Sequence, residues 1–527
     1  MTRDFHVPGR STVYGSNGMV ATSHPLAALA AIETLRAGGN AVDAAVAAIA
    51  IAGVIEPQMT GIGGDCFCLV AKPGQPVWGY NGSGRSAAAM RAELLIEQDL
   101  TEIATNSVHS VTVPGAVEAW ETILKAHGRF GLDRALSFAI DAAERGVPVP
   151  PRVQYDWSLA QGKLAADPAT AAIYLPGAAV PAVGDIVRFP ALARTLRAIA
   201  KGGARAFYEG AIADDMVETL AARGGLLTSE DFAAHRGDEA PPLESRYRDL
   251  DVVELPPNGQ GVAALLLLNM LERFDMASLD PVGADRLHLL IEAGRLSYAV
   301  RNQYVADPAF MQIPVSSLLD RGFAAELAGL IDRTRRSNFP KLPKPQSSTV
   351  LCCVVDHDRN AVTIINSLFS TFGSGIATEN SGILLHHRGS GFNFDPASPN
   401  CIGPSKRPLH TIIPALAKRD GRVDLAFGVM GGAYQAMGHA HFISNLVDHG
   451  MDLQTAIDLP RVFFEGEPVV VESGVSEAVM QELRARGHNA VRRLVPLGGA
   501  QAIRIDWDRG VLIGGSDARK DGCALGY

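Results

Sequence analysis

The stretch from Arg333 to Leu368 constrains this chain more than any other. Arg333–Ser348 is rich in proline, lysine and serine (Pro340, Pro343, Pro345), the composition of an exposed linker and internal boundary. It runs directly into Thr349–Val355, an apolar, β-branched strand. A turn at Asp356–Asn360 and a second apolar run, Ala361–Leu368, complete a β-hairpin. Two small hydroxyl residues, Ser348 and Thr349, stand at the seam. A cut between them makes Thr349 a new N-terminus. Its hydroxyl then lies beside a free α-amine that serves as its own general base. Such an amine titrates at about pH 8, so an appreciable fraction accepts a proton near neutrality. The seam therefore predicts a precursor that is cleaved before it works.

The rest of the chain alternates helices and strands. His24 and Pro25 follow a serine, and Ser23 reads as the cap of a helix over Leu26–Arg36 that stops at Gly38-Gly39. Asn40 caps a buried helix over Val42–Val54, and the Gly61–Asp65 loop leads to a strand at Cys66–Ala71. Two amphipathic helices are expected over Ala116–Glu144 and one over Leu192–Ala200. Thr228 with Asp231 reads as a helix start. A strand is expected around Leu250–Leu255, then helices at Val262–Leu271 and Asp285–Arg301. After the hairpin, helices are expected at Ala433–Asp448 and Ser476–Arg486, and strands at Val469–Glu472, Ala502–Asp506 and Val511–Gly514. Strands with helices on both sides predict an α/β chain folded as a four-layer αββα sandwich.

Composition narrows the functional classes. The 527 residues are 47% apolar and 20% charged, enough for a large core, and a net charge of −9 argues against a nucleic-acid surface. The six cysteines form no CxxC pair and no zinc spacing, and reduced thiols fit the cytosol. The N-terminus has no basic segment followed by an apolar run. The most apolar segment, Ala41–Ile55, contains Asp43 and is shorter than the roughly 20 residues of a membrane span. A cytoplasmic location, no membrane and no nucleic-acid partner are the expectations. His288 and Glu292 lie four apart on one helix without a third ligand, so packing or pairing with Arg295 is expected rather than a metal. No Walker or dinucleotide motif occurs, and no cofactor is expected.

Separate short motifs share one order. They are Asn40–Ala45, Gly61–Asp65, Val113-Pro114-Gly115, Phe207–Gly210, Leu227–Phe232, Pro256–Gly261, Glu292–Arg295, Thr371–Gly375, Gly403–Pro408, Gly431-Gly432 and Ser516–Tyr527. In that order and spacing the chain resembles the γ-glutamyltransferase family of N-terminal-nucleophile hydrolases over nearly its whole length. The resemblance implies autocleavage, with residues 1–348 as a large subunit and 349–527 as a small subunit forming one structural unit. A dimer of such pairs is left open. Thr349 matches the family nucleophile and Ser348 the residue before the cut. Ser367 matches a threonine that hydrogen-bonds the nucleophile. Gly431-Gly432 matches the pair whose amides form the oxyanion hole, where one donor is worth about 3 kcal/mol. Taken alone, Thr349 reads as an ordinary strand residue, Ser367 equally well as a plain strand hydroxyl, and Gly431-Gly432 as a turn before a helix whose free N–H groups still suit an anion.

The departures carry the substrate expectation. Where glutamyl-specific members hold the α-amino and α-carboxylate groups of glutamate, this chain has Phe369, Arg388 and Gly391, and paired serines are replaced by His410-Thr411. Acceptors for an ammonium are gone and a cation has appeared, which can bind a carboxylate in a bidentate pair. Arg85 and Arg91 lie where the family places its carboxylate-binding arginine, and the local string does not choose between them. Arg388 could instead brace its own loop, and His410 could be structural. The resemblance thus implies hydrolysis of a small anionic amide, with water as acyl acceptor and oxamate as the best fit. A γ-glutamyl hydrolase or transferase and a cephalosporin- or glutaryl-type acylase are the alternatives.

Overall fold

The computed structural model describes residues 9–338 and 348–527. Among these, two seven-stranded sheets lie face to face, each joined by antiparallel pairs. The first runs in the order Cys523–Gly526, Met19–Thr22, Ser348–Val355, Ala361–Phe369, Asp65–Ala71, Trp78–Asn81, Asp238–Glu239. The second runs Val13–Gly15, Val511–Ser516, Gly499–Asp506, Arg422–Met430, Ala415–Arg419, Leu250–Glu254, Leu243–Tyr247. Each sheet draws strands from both sides of the Ser348–Thr349 bond.

The hairpin is apolar on both faces because both faces are covered. Val350, Cys352 and Val354 join the Pro25–Arg36 and Ala41–Ile55 helices in one core cluster. Leu351, Cys353 and Val355 alternate with them and meet Leu416, Ala426 and Ile503 of the other sheet. The sheets come so close that a Cβ on Gly428 would stand 2.8 Å from Leu351 Cδ2. Helices Gly261–Leu271, Ala284–Tyr304 and Gln435–Val447 cover the outer face of the second sheet over Val252, Leu425 and Phe427. This is the expected αββα sandwich. Thr349 has the parity of Leu351 and Ser367 that of Ile365, so both face the gap between the sheets.

Local signals explain most helix starts. Asn40 and Asp43 form a reciprocal capping box, so the acid interrupting the apolar segment is what begins its helix. Thr228 and Asp231 do the same. One cap differs from expectation. His24, not Ser23, caps the first helix, its Nδ1 accepting from Leu26 N at 3.1 Å. Burial pulls His24 down to about 4, which keeps the ring neutral and able to accept. Ser23 instead donates to the buried Glu56 at 2.6 Å.

The two helices expected over Ala116–Glu144 are three, Ala116–His127, Leu132–Ala135 and Ser137–Arg145. The helices Pro151–Leu159 and Pro168–Tyr174 and the short edge strands escaped the sequence reading. Residues 339–347 of the linker lie outside the described residues. Just before them, Ser337 N donates to Glu292 at 2.8 Å, and Glu292 pairs with Arg295 at 2.7 Å as the sequence suggested. His288 faces His488 at 2.8 Å. Among the described residues no cluster of His, Cys, Asp and Glu is placed to hold a metal ion. No helix among them is long and apolar enough to cross a membrane.

Candidate active site

The register of the hairpin changes at Thr349. Ser348 pairs with Phe369 and Val350 with Asn366, so the second strand carries one extra residue opposite Thr349. Such bulges re-aim side chains and are common beside active sites. Here the bulge leaves Thr349 Oγ1 3.3 Å from Ser367 Oγ, both fully buried. Gln435, on the first turn of the helix after the glycine pair, donates from Nε2 to Thr349 Oγ1 at 3.4 Å. Its Oε1 accepts from Ile413 N at 3.1 Å, which fixes the amide orientation.

The glycine pair lies where the Arg422–Met430 strand turns into the Gln435–Val447 helix. Gly431 has φ +132° and Gly432 φ +56°, a conformation that favours glycine. A Cβ on Gly431 would stand 3.0 Å from Gly498 Cα. Their N–H groups head a helical turn, where the turn itself supplies no acceptors. Gly431 O accepts from Tyr434 N at 3.1 Å, and Gly432 O from Gln260 Nε2 at 2.9 Å.

Arg388 completes the cluster. It is fully buried, and its Nη1 donates to Thr411 Oγ1 at 2.9 Å and its Nη2 to Ser367 Oγ at 3.3 Å. Its guanidinium lies 4.0 Å above the Phe369 ring, which stacks on His387 at 4.7 Å. Phe369 adopts φ +83°, a strained backbone for a bulky residue, while its N–H donates to Ser367 Oγ at 2.9 Å. Among the described residues no carboxylate lies within 4.0 Å of the Arg388 guanidinium, and its Nε has no hydrogen-bond partner. Burial pulls Arg388 down to about 9, against the more distant negative charge of Asp65.

Behind the arginine stands a buried acid. Asp65 accepts from Gly84 N and Gly115 N at 3.2 Å and from His410 Nε2 at 3.1 Å. Burial pushes this carboxyl up, but His386, His410 and Arg388 outweigh that and hold it well below the usual carboxylate range. Burial, helped by Arg388, pulls His410 down to about 3, so its ring is neutral. Ile412 N donates to its Nδ1, which places the ring proton on Nε2 toward Asp65. His386 accepts from Arg388 N at 3.1 Å and so steadies the arginine backbone.

The structure therefore brings together Thr349, Ser367, Gly431, Gly432, Phe369, Arg388 and Thr411. His410 is nearby but turned to Asp65, with its ring tilted 32° against Phe67. Arg85 pairs with Asp307 at 3.0 Å and bonds Ser405 O. Arg91 is an exposed residue at the start of the Ala92–Ile96 helix. The sequence reading assigned no role to Gln435, Gln260 or Asp65, although Asp65 and Gln260 lie in two of the shared motifs, Gly61–Asp65 and Pro256–Gly261, and Gln435 stands just after the glycine pair.

A family model described as Gamma-glutamyltranspeptidase matches residues 27–527. The chain belongs to this family. It is 37% identical to the "Glutathione hydrolase-like YwrD proenzyme" of Bacillus subtilis (strain 168), across 98% of this chain and 99% of the relative. It is 32% identical to the "Oxamate amidohydrolase proenzyme" of Klebsiella pneumoniae, across 98% of this chain and 100% of the relative. The fold matches the crystal structure of cephalosporin acylase from Bacillus halodurans with a TM-score of 0.93 at 36% identity, covering 100% of this chain and 99% of that one. Within the gamma-glutamyltranspeptidase family the chain is a self-processing amidohydrolase or acylase of the N-terminal-nucleophile class, made as a precursor of large and small subunits.

Proposed function

We propose that the chain cuts itself between Ser348 and Thr349 and then hydrolyses a small amide whose acyl part carries a carboxylate, with oxamate the best-fitting substrate. The observation that carries this reading is Arg388. It is a buried cation with no carboxylate partner among the described residues, joined to the Thr349 hydroxyl by two successive 3.3 Å contacts through Ser367. A guanidinium in that setting lacks the charge partner that burial calls for, and a substrate carboxylate supplies one. The short span from cation to nucleophile suits an acyl group with its carboxylate next to the attacked carbonyl. A glutaryl chain holds the two farther apart. A γ-glutamyl donor adds an ammonium, which Phe369 and Arg388 repel or leave unsolvated.

In processing, Thr349 Oγ1 attacks the Ser348 carbonyl carbon, the Ser348 C–Thr349 N bond breaks to free the α-amine and leave an ester on Thr349 Oγ1, and water then cleaves that ester to give the Ser348 carboxylate and the free Thr349 hydroxyl. In turnover, Thr349 Oγ1 attacks the amide carbon and its α-amine takes the hydroxyl proton. Gly431 and Gly432 N–H groups hold the oxyanion. The proton passes to the leaving nitrogen and ammonia departs from an acyl-threonine. Water, deprotonated by the same amine, attacks the ester and releases the dicarboxylate. Ser367 orients the nucleophile.

The relative named oxamate amidohydrolase supports this reading; the acylase likeness supports a longer acyl group equally as far as family goes. Ammonia release is measured from oxamate, and arylamine release from glutaryl- and γ-glutamyl-anilides. Turnover of oxamate with kcat/KM at least tenfold above either anilide is expected. A fully processed protein that leaves oxamate intact and cleaves a long-chain or glutamyl substrate overturns it.

A further inference from the structure

Two adjacent glycines at positive φ have no side chains to hold them, yet oxyanion donors work only when fixed before charge develops. Their carbonyls show what holds them. Gln260, fully buried, donates one Nε2 proton to Gly432 O at 2.9 Å and the other to Thr411 O at 2.8 Å. Its Oε1 accepts from Arg301 Nη1, so both N–H donors and the oxygen of its primary amide are each held in a fixed direction. Arg301 is itself buried and lies 4.4 Å above the Tyr298 ring. Tyr298 OH donates to Ala433 O, the next carbonyl of the turn, and accepts from Met437 N at 3.3 Å. In a trans peptide the C=O of one residue shares a plane with the N–H of the next, so Gln260 on Gly432 O fixes the Gly432–Ala433 plane and Tyr298 on Ala433 O fixes the Ala433–Tyr434 plane, whose Tyr434 N donates to Gly431 O at 3.1 Å and so sets the plane that carries Gly432 N–H.

We propose that Gln260, backed by Arg301, is a positioning residue that fixes the Gly431–Gly432 turn against the Arg388–Thr411 shelf. The residue lies before the Ser348–Thr349 bond and both carbonyls it grips lie after it, so after processing the clamp crosses from large to small subunit. The proposal rests on the reading that Gly431 and Gly432 bind the oxyanion. Without the clamp the anion still binds on Arg388, but the donors no longer meet the charge that forms on the attacked carbonyl.

The test compares Gln260→Glu, which keeps an acceptor for Arg301 and loses both donors, with Tyr298→Phe, which releases only Ala433 O. Processed enzymes are assayed for kcat and KM on oxamate and for inhibition by oxalate. Gln260→Glu is expected to lower kcat 10- to 100-fold, with KM and the oxalate inhibition constant within threefold. Tyr298→Phe is expected to lower kcat by a smaller factor, and the double variant to lose less than the product of the two, because both act on one turn. Unchanged kcat, or a rise in KM and the inhibition constant at constant kcat, overturns the proposal. If Gln260→Glu fails to process, Tyr298→Phe alone decides, and a kcat equal to wild type overturns it. Gly431→Ala separates the two levels, since its Cβ presses on Gly498 and shifts the turn. A kcat loss there without one in the clamp variants removes the clamp and leaves the oxyanion reading. No loss in any of them removes both.

Discussion

Arg388→Met is the substitution whose outcome the structure specifies most fully. Methionine fills much of the aliphatic volume and removes the buried charge. The wild-type guanidinium donates hydrogen bonds to Thr411 and Ser367 and lies over the Phe369 ring, while its Nε has no partner among the described residues. Losing two charge-assisted hydrogen bonds to a substrate carboxylate, each at least about 1.5 kcal/mol, removes about 3 kcal/mol. That is a fall on the order of 10²-fold in kcat/KM for an anionic amide. Stability moves the other way. The cation is fully buried without a carboxylate at ion-pair distance among the described residues, and replacing such a charge with an apolar group is neutral or stabilising. The variant should therefore melt at or above the wild-type temperature while losing activity. Oxalate at about 100 times its dissociation constant stabilises the wild type by about 2.7 kcal/mol and should leave the variant's midpoint unmoved. Ammonia-release kinetics and thermal melts with and without oxalate measure both effects. A variant that keeps kcat/KM within threefold of wild type, or still responds to oxalate, refutes the assignment of Arg388 as the carboxylate site.

Three other outcomes follow from the same geometry. Thr349→Ala should remain a single chain near the full 55.7 kDa by intact mass and be inactive, whereas the wild type splits in two; a cleaved or active variant excludes Thr349 as nucleophile. Ser367→Ala should cut kcat about tenfold by removing an oxygen shared with Thr349, Arg388 and Phe369 N, and Ser367→Thr should restore it to within threefold, as read by steady-state kinetics. Glu56 is raised from 4.5 to about 7, chiefly by burial, against the hydrogen bond from Ser23. The folded state therefore keeps a proton that the unfolded chain has lost between about pH 4.5 and 7. Its contribution is complete below that window and lost as pH rises through it, by about 3 kcal/mol. Glu56→Gln should flatten this slope in melts recorded across the window, and an unchanged slope would show that Glu56 does not titrate there.

Much of the framework was legible because its causes are local. The capping boxes at Asn40 and Thr228 and the proline start at Pro25 lie within four residues of what they determine. The hairpin announced itself by a long β-branched run that needs no partner to be recognised. Edge strands such as Asp238–Glu239 escaped because two residues carry no periodicity and are defined by the strand they meet. The His24 cap escaped because imidazole accepts a hydrogen bond only when burial keeps it neutral, and burial is not a local property.

For the site, the sequence by itself determined the residues on offer, and the family resemblance gave them roles to expect: a threonine after a polar linker, a second hydroxyl on the paired strand, two glycines, and an arginine where glutamyl-specific members bind glutamate. These are matters of residue type and order along the chain. Which arginine faces the threonine was a matter of folding. Arg85 meets Asp307, far along the sequence, whereas Arg388 is left buried among hydroxyls and an aromatic ring. His410 was turned away by Asp65, and the glycine turn was gripped by Gln260, both from distant segments. A side chain's partners are set by which strands and helices the two sheets bring into one gap, and that gap exists only once the sandwich has closed.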